Sequence, residues 1–302
     1  MRVIPPLTIT PAMLTSSSCA EPHGTESAYN AGTTYGIGAT VVVAADHRTY
    51  QSLQAGNTGH TPSTSPTWWL DIGPTDRWKM FDILRNTQTV DASPLVVTIT
   101  PGERVDSIAL LGLEATSARV KMTVGVTTVY DEAEDLNTRE VGDWYDYFFR
   151  PFSTRPSVVR FDLPPYANGV IEVTLENDGG DVACGSLVLG SYEYIGKIQW
   201  NPESDAINFS TVDRDAFGNA ELVQRRSIPK TTQSLKLEKS RVNRVRNVRT
   251  ALNAEPAVWS GIDDLDEDGY FEALLILGFY RRFTINLENA KEVEISLELE
   301  EI

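Results

Sequence analysis

The residues best placed by type and spacing to do chemistry are the acids of Asp264-Leu-Asp266-Glu-Asp268-Gly269. Hard cations take oxygen ligands at alternate positions of a loop that turns sharply at a glycine, and Phe271 fills the apolar slot of such a loop. Leu275 stands at the twelfth position, where a bidentate Glu would close the coordination sphere, and the residues after it read as a strand. Asp264, Asp266 and Asp268 are therefore a calcium candidate, set against a solvated acidic hairpin loop. His23, His47 and His60 fall in no metal-ligand spacing and read as surface residues. Cys19 and Cys184 match neither a metal nor a redox spacing and read as idle thiols. The chain has no G-x-S-x-G elbow, no phosphate-cradling loop and no H-E-x-x-H. Carboxylates are plentiful, yet no strand end gathers a pair of them beside aromatic subsites, as glycoside cleavage requires. The expectation is a protein that is not an enzyme and needs no cofactor.

Composition narrows the class of partner. The 302 residues are 41% hydrophobic and carry a formal net charge of −16, which suits a folded protein and disfavours nucleic acid, whose phosphates need clustered Lys and Arg. No apolar run is long enough to cross a bilayer, and the start MRVIPPLTIT lacks the basic flank and apolar stretch of a signal peptide, so membrane insertion is not expected. The charge is uneven. Residues 227–259 hold seven Lys or Arg against two Glu, a net of +5, whereas residues 260–302 hold twelve acids against three bases, a net of −9. Such opposed patches suit head-to-tail contact between copies, with Arg241, Arg244 and Arg249 as interface candidates, or else pairing of the two segments within one chain.

The elements that would position a site are mostly strands. Residues 1–28, with Pro5, Pro6, Pro11 and Pro22, offer at most one edge strand and a lead-in. Residues 29–73 pack Tyr35-Gly-Ile-Gly38, Val41, Val42, Val43, Tyr50 and Trp68-Trp69 into the outline of a three-stranded unit with glycine turns. From residue 74 to about 200, period-2 runs (Leu95, Val97, Ile99; Val120, Met122, Val124; Val159, Phe161, Leu163; Ile171, Val173, Leu175) describe a sheet with one wet face. Ile108 to Leu113 is continuously apolar, as in a strand covered on both sides. Trp144 to Phe149 is the densest aromatic run, either an exposed contact site or a core cluster. In residues 201–302, Ser240 can cap a helix to about Asn253 with Val242, Val245, Val248 and Leu252 on one stripe, followed by strands around Phe283 and Ile295. The fold class expected is mainly β and multi-domain: a small three-stranded module, a jelly-roll β-sandwich, and a C-terminal α+β domain with one amphipathic helix.

Three resemblances follow from these residues. Tyr29, Tyr35, Gly38, Val41, Tyr50 and Trp69 can be laid in order on the small chitin- and cellulose-binding modules of bacterial glycoside hydrolases. That resemblance implies carbohydrate binding, with Tyr35, Tyr50, Trp68 and Trp69 as lining. The exposed Trp platform of that family is replaced here by Leu53 and Gln54, leaving Trp68 to supply a stacking face, while Tyr35, Tyr50 and Trp69 read more readily as core of the small unit. RWKMFD, VDSIALLGLEATSARVKMTV and RFDLPPYANGVIEVTLEN together resemble galactose-binding-like jelly rolls. IPKTTQSLKLEKSRVNRVRNVRTALN, the acidic loop and the closing EISLELEEI resemble the end of tail proteins of long-tailed bacteriophages, in which an N-terminal strand such as RVIPPLTITPAML joins a terminal β domain bearing one helix. The combination implies a structural, oligomeric protein of a phage tail tip or baseplate, made in the host cytoplasm and carried in the virion. Its implied partners are copies of itself, other tail proteins and a host-surface glycan. The alternatives are a free polysaccharide-binding accessory protein and a glycoside hydrolase.

Overall fold

Alternation of apolar and polar residues dominates the chain, and the structure is accordingly mainly β with several antiparallel sheets. In the computed structural model, residues 1–84, 86–138, 143–150, 153–199, 202–214, 217–261, 272–287 and 291–302 are described. They form two compact units, Thr8–Leu187 and a second made of Met1–Leu7 with Val188–Ile302. The calcium candidates Asp264, Asp266 and Asp268 lie outside the described residues.

The Thr8–Leu187 unit contains a five-stranded sheet in the order Thr127–Asp135, Ser117–Val124, Val170–Glu176, Leu95–Ile99, Leu14–Ser17. Its alternating residues Leu95, Val97, Ile99, Val120, Met122, Ile171, Val173 and Leu175 are buried, as the period-2 pattern demands. A four-stranded sheet runs Ser157–Arg160, Ser107–Glu114, Asp181–Gly190, Thr89–Ala92. Ile108 to Leu111 and Val182 to Leu187 are buried without alternation, because both faces of these strands are covered. One cover is the 3-10 turn Asp76–Phe81 and the residues just after it: Thr89 Oγ1 donates to the Asp76 carbonyl (2.6 Å) and Ser186 Oγ to the Leu84 carbonyl (3.4 Å). A separate three-stranded sheet, Thr40–Val43, Arg48–Ser52, Trp69–Pro74, carries the aromatic module.

The other unit is built on one antiparallel sheet, in the order Glu193–Tyr194, Arg2–Ile4, Ala257–Ser260, Leu275–Asn286, Glu292–Glu301, Ser227–Glu238, Lys197–Ile198, with Glu203–Asn208 also paired to Ser227–Glu238. The N-terminal residues are thus an interior strand: Val3 lies opposite Trp259, Ile4 opposite Val258, and Met1, Val3 and Ile4 are wholly buried. Leu14–Ser17 is a second strand from the same segment, at the edge of the sandwich. The lead-in therefore supplies two strands, not one, with Pro5 and Pro6 ending the first by removing its N–H donors. An amphipathic helix spans Val242–Ala251 and, with Leu252 just after it, lays Val245, Val248 and Leu252 on the core formed by Leu235, Trp259, Ile295 and Leu297. It starts later than the sequence suggested. Ser240 sits in a 3-10 turn, Lys239–Arg241, and its hydroxyl turns to the Glu238 carboxylate (3.4 Å) instead of capping a helical N–H.

Candidate functional site

The module's aromatic residues divide into core and surface. Val41 opposes Tyr50, and Ser52 opposes Trp69, so strand pairing brings Val41, Tyr50 and Trp69 together as a buried cluster. Tyr29 and Tyr35 pack on it: the two phenol rings stack at 6.0 Å, and each meets the Trp69 indole edge-on, at 5.9 and 5.2 Å. Polar atoms are tied locally. The Trp69 indole N–H donates to the His60 carbonyl (2.8 Å), and the Tyr35 hydroxyl accepts from the Asn30 N–H (2.8 Å) while donating to the Asn30 carbonyl (3.2 Å). Burial, then the nearby Asp71 carboxylate, pushes the Tyr50 phenol above its ordinary value. Tyr50 and Trp69 thus give this small sheet its core, and a buried ring presents no face to a sugar.

Trp68 differs in exposure: it ends the turn before the strand Trp69–Pro74 and packs against the Val41, Tyr50 and Trp69 cluster without being enclosed by it. It is half-buried, and its indole stacks on the His60 imidazole at 4.0 Å with 12° between the planes. At the positions where the resembled modules carry a platform, Leu53 is exposed and the Gln54 amide donates to the Thr67 carbonyl (2.9 Å). The Trp68–His60 pair, with the half-buried edge of Tyr35, is the aromatic surface that the module has to offer. His60 was missed from sequence, since only the fold brings it over the indole eight residues further on.

The three interface arginines all find partners inside their own unit. Arg241 lies 5.9 Å over the Tyr194 ring, Arg244 Nε donates to Glu193 Oε2 at 2.6 Å, and Arg249 Nη1 donates to the Phe283 carbonyl at 3.3 Å. The basic and acidic segments also meet as adjacent strands, pairing Lys230 with Glu298 (4.0 Å) and Lys236 with Glu292 (3.9 Å). Arg281 grips Glu300 with two nitrogens, at 2.6 and 2.9 Å, and this hydrogen bonding holds the Glu300 carboxyl below the usual range. Among the described residues, two Lys of the basic segment are therefore paired with Glu of the acidic one inside the chain.

Two surface features stand out, the first an aromatic run for which the sequence left exposure and burial both open, the second without any sequence signal. Trp144–Phe149 forms a short helix started by Asp143, whose carboxylate accepts from the Asp146 N–H (2.9 Å). Its rings are exposed (Trp144 76%, Phe149 69%), because five aromatics on six consecutive residues point all round a helix and cannot share one buried face. The second feature is an arm. Glu203–Asn208 pairs with the first half of Ser227–Glu238, and Thr211–Arg214 with Ala220–Val223, as a two-stranded ribbon in which no described residue from Pro202 to Lys230 is buried. Leu222 (74%) and Phe217 (91%) are the most exposed of its apolar residues, which also include Phe209, Val212 and Val223.

A third constellation lies in the Thr8–Leu187 unit, where Cys19, His23 and Asp91 bring their ligating atoms within 4.8 Å of one another. Cys19 and His23 come from the lead-in and Asp91 from the strand Thr89–Ala92, so no sequence spacing announced the group. No helix among the described residues is long and apolar enough to cross a membrane. No protein-family model matches the chain, and no curated protein matches it.

Proposed function

We propose that this chain is a structural subunit of a bacteriophage tail tip or baseplate that assembles with copies of itself and carries a small module able to touch a host-surface glycan. The observation that carries the reading is the unburied arm. An isolated two-stranded ribbon is marginal in water, and this one also sets Asp213 directly opposite Glu221, a like-charge pair that weakens it further. The cross-strand pair Val212 and Leu222 shares one face of the ribbon and is left to water. Apolar residues on such a ribbon become useful when a neighbouring copy covers them. The N-terminal strand inside the terminal sheet supports the same assignment, since it is the arrangement that the resemblance to tail proteins implies.

In this role the Trp68–His60 stack would meet a sugar ring weakly, and repetition around a ring of subunits would raise avidity without any new contact. An antibody against the chain tests the assignment by electron microscopy of purified phage particles. Decoration at the tail tip is expected; particles that carry the chain elsewhere or not at all would overturn it.

A further inference from the structure

Cys19, His23 and Asp91 are more than neighbours. His23 Nε2 stands 3.2 Å from Asp91 Oδ1. Two ligands bound at about 2.0–2.2 Å in a tetrahedral zinc site lie about 3.3 Å apart, so the pair already has the separation of two corners of one coordination sphere. The buried Cys19 sulfur supplies a third corner within the same 4.8 Å group. Around these three stands an outer layer of the kind that orients metal ligands. His23 Nδ1 lies 3.5 Å from Asp76 Oδ2, a carboxylate on the ring nitrogen remote from Asp91, and Asp76 is itself paired with Lys79. Asp91 Oδ2 accepts from Ser18 Oγ at 2.9 Å, and its Oδ1 also accepts from the Ala92 N–H at 2.9 Å. The His23 backbone N–H donates to Glu26 Oε2 at 2.8 Å, which fixes the turn carrying the imidazole.

The field at the site favours a cation. The carboxylates of Asp91 and Asp76 both face His23, at 3.2 and 3.5 Å, while Arg77 Nε is turned to the Cys19 carbonyl at 2.7 Å. The same carboxylates attract a divalent ion, and one thiolate with one carboxylate would neutralise it. We propose that Cys19, His23 and Asp91 bind one thiophilic divalent cation of the zinc class, with Asp76 positioning the imidazole from behind. On binding, the Cys19 S–H proton leaves to solvent as the sulfur–metal bond forms, with no change of oxidation state. A metal there would tie the lead-in to the strand Thr89–Ala92, a fastening distinct from any sugar or subunit contact.

Cobalt(II) is the probe. The full chain, stripped with chelator, is titrated with Co2+ while sulfur-to-cobalt charge-transfer absorption is followed, and then with Zn2+ in competition. The expected result is one equivalent bound with a charge-transfer band that zinc displaces and that Cys19→Ser abolishes although Cys184 remains. Asp76→Asn should keep the band but weaken binding about 10- to 100-fold, as loss of an outer-layer carboxylate does elsewhere. His23→Gln, a half-buried position and a milder test of the fold than Cys19→Ser, should weaken cobalt binding at least as much. Absence of the band, its survival in Cys19→Ser, or affinity unchanged in His23→Gln would overturn the site and leave His23 as an ion-pair partner of Asp76 and Asp91.

Discussion

Replacing Ile4 by Ala should loosen the terminal sheet at the N-terminal strand, and by an amount that the packing sets. Ile4 is fully buried, opposes Val258, and lies so close to Gly190 that a Cβ added there would sit 2.8 Å from its Cγ2 and 2.3 Å from the Pro5 carbonyl oxygen. A side chain enclosed this tightly leaves a cavity when truncated, at a cost of about 2–5 kcal/mol. Since about 1.4 kcal/mol is a factor of ten in an equilibrium, local opening should become at least about 30-fold more frequent. Hydrogen-exchange mass spectrometry reads this directly. Amides in the two flanking strands, Glu193–Tyr194 and Ala257–Ser260, should exchange faster by that factor. Unchanged exchange in both would refute the claim that the N-terminal strand is an integral member of this sheet.

The module offers a contrast between adjacent tryptophans. Trp69→Ala should cost about 3–5 kcal/mol and unfold the small sheet, as seen by near-ultraviolet circular dichroism, because it removes a buried ring. Trp68→Ala, which removes a half-buried ring, should cost less stability than Trp69→Ala and abolish retention on a glycan array; equal binding by wild type and variant would reduce the module to scaffold. The Glu300 carboxyl, held low by Arg281, contributes stability that is present above the unfolded carboxylate range and lost as pH falls through its lowered folded value. Denaturation midpoints should therefore drop as pH falls below about 4.3, the ordinary Glu value, and Glu300→Gln should flatten that drop. An identical acid profile in the variant would contradict the pairing.

Periodicity made much of this architecture readable. Leu95, Val97 and Ile99 or Ile171, Val173 and Leu175 declare a one-sided sheet, and Ile108 to Leu111 declares a two-sided one, because burial alternates with the pleat or does not. The stripe Val245, Val248, Leu252 identified the helix and its buried face for the same reason. Its start was misplaced because a hydroxyl two residues before an apolar stripe caps a helix only if the backbone turns there, and Glu238 drew the Ser240 hydroxyl away. Residues 203–214 and 217–229 gave no signal, since a ribbon solvated on both faces imposes no alternation on its sequence. Tyr50 and Trp69 fitted two roles, core and sugar-site lining, with core the favoured one, and the strand register places them in the core. Cys19, His23 and Asp91 were invisible as a group because Asp91 reaches the other two through the fold and not through spacing.

The central claim is that this chain works by assembly, with the arm as a contact between copies. Light scattering of the purified protein at graded concentrations tests it most directly, wild type beside the double variant Val212→Asp, Leu222→Asp. Covering a side chain fully is worth about 1.5–3 kcal/mol, and these two are 54% and 74% exposed, so each arm contact should lose about 2–4 kcal/mol, a weakening of roughly 30- to 1000-fold. The account predicts a wild-type mass that is a multiple of 33.4 kDa and a variant that falls toward the single chain with an unchanged far-ultraviolet circular dichroism spectrum. A wild-type protein that stays at the mass of one chain at every concentration would contradict it.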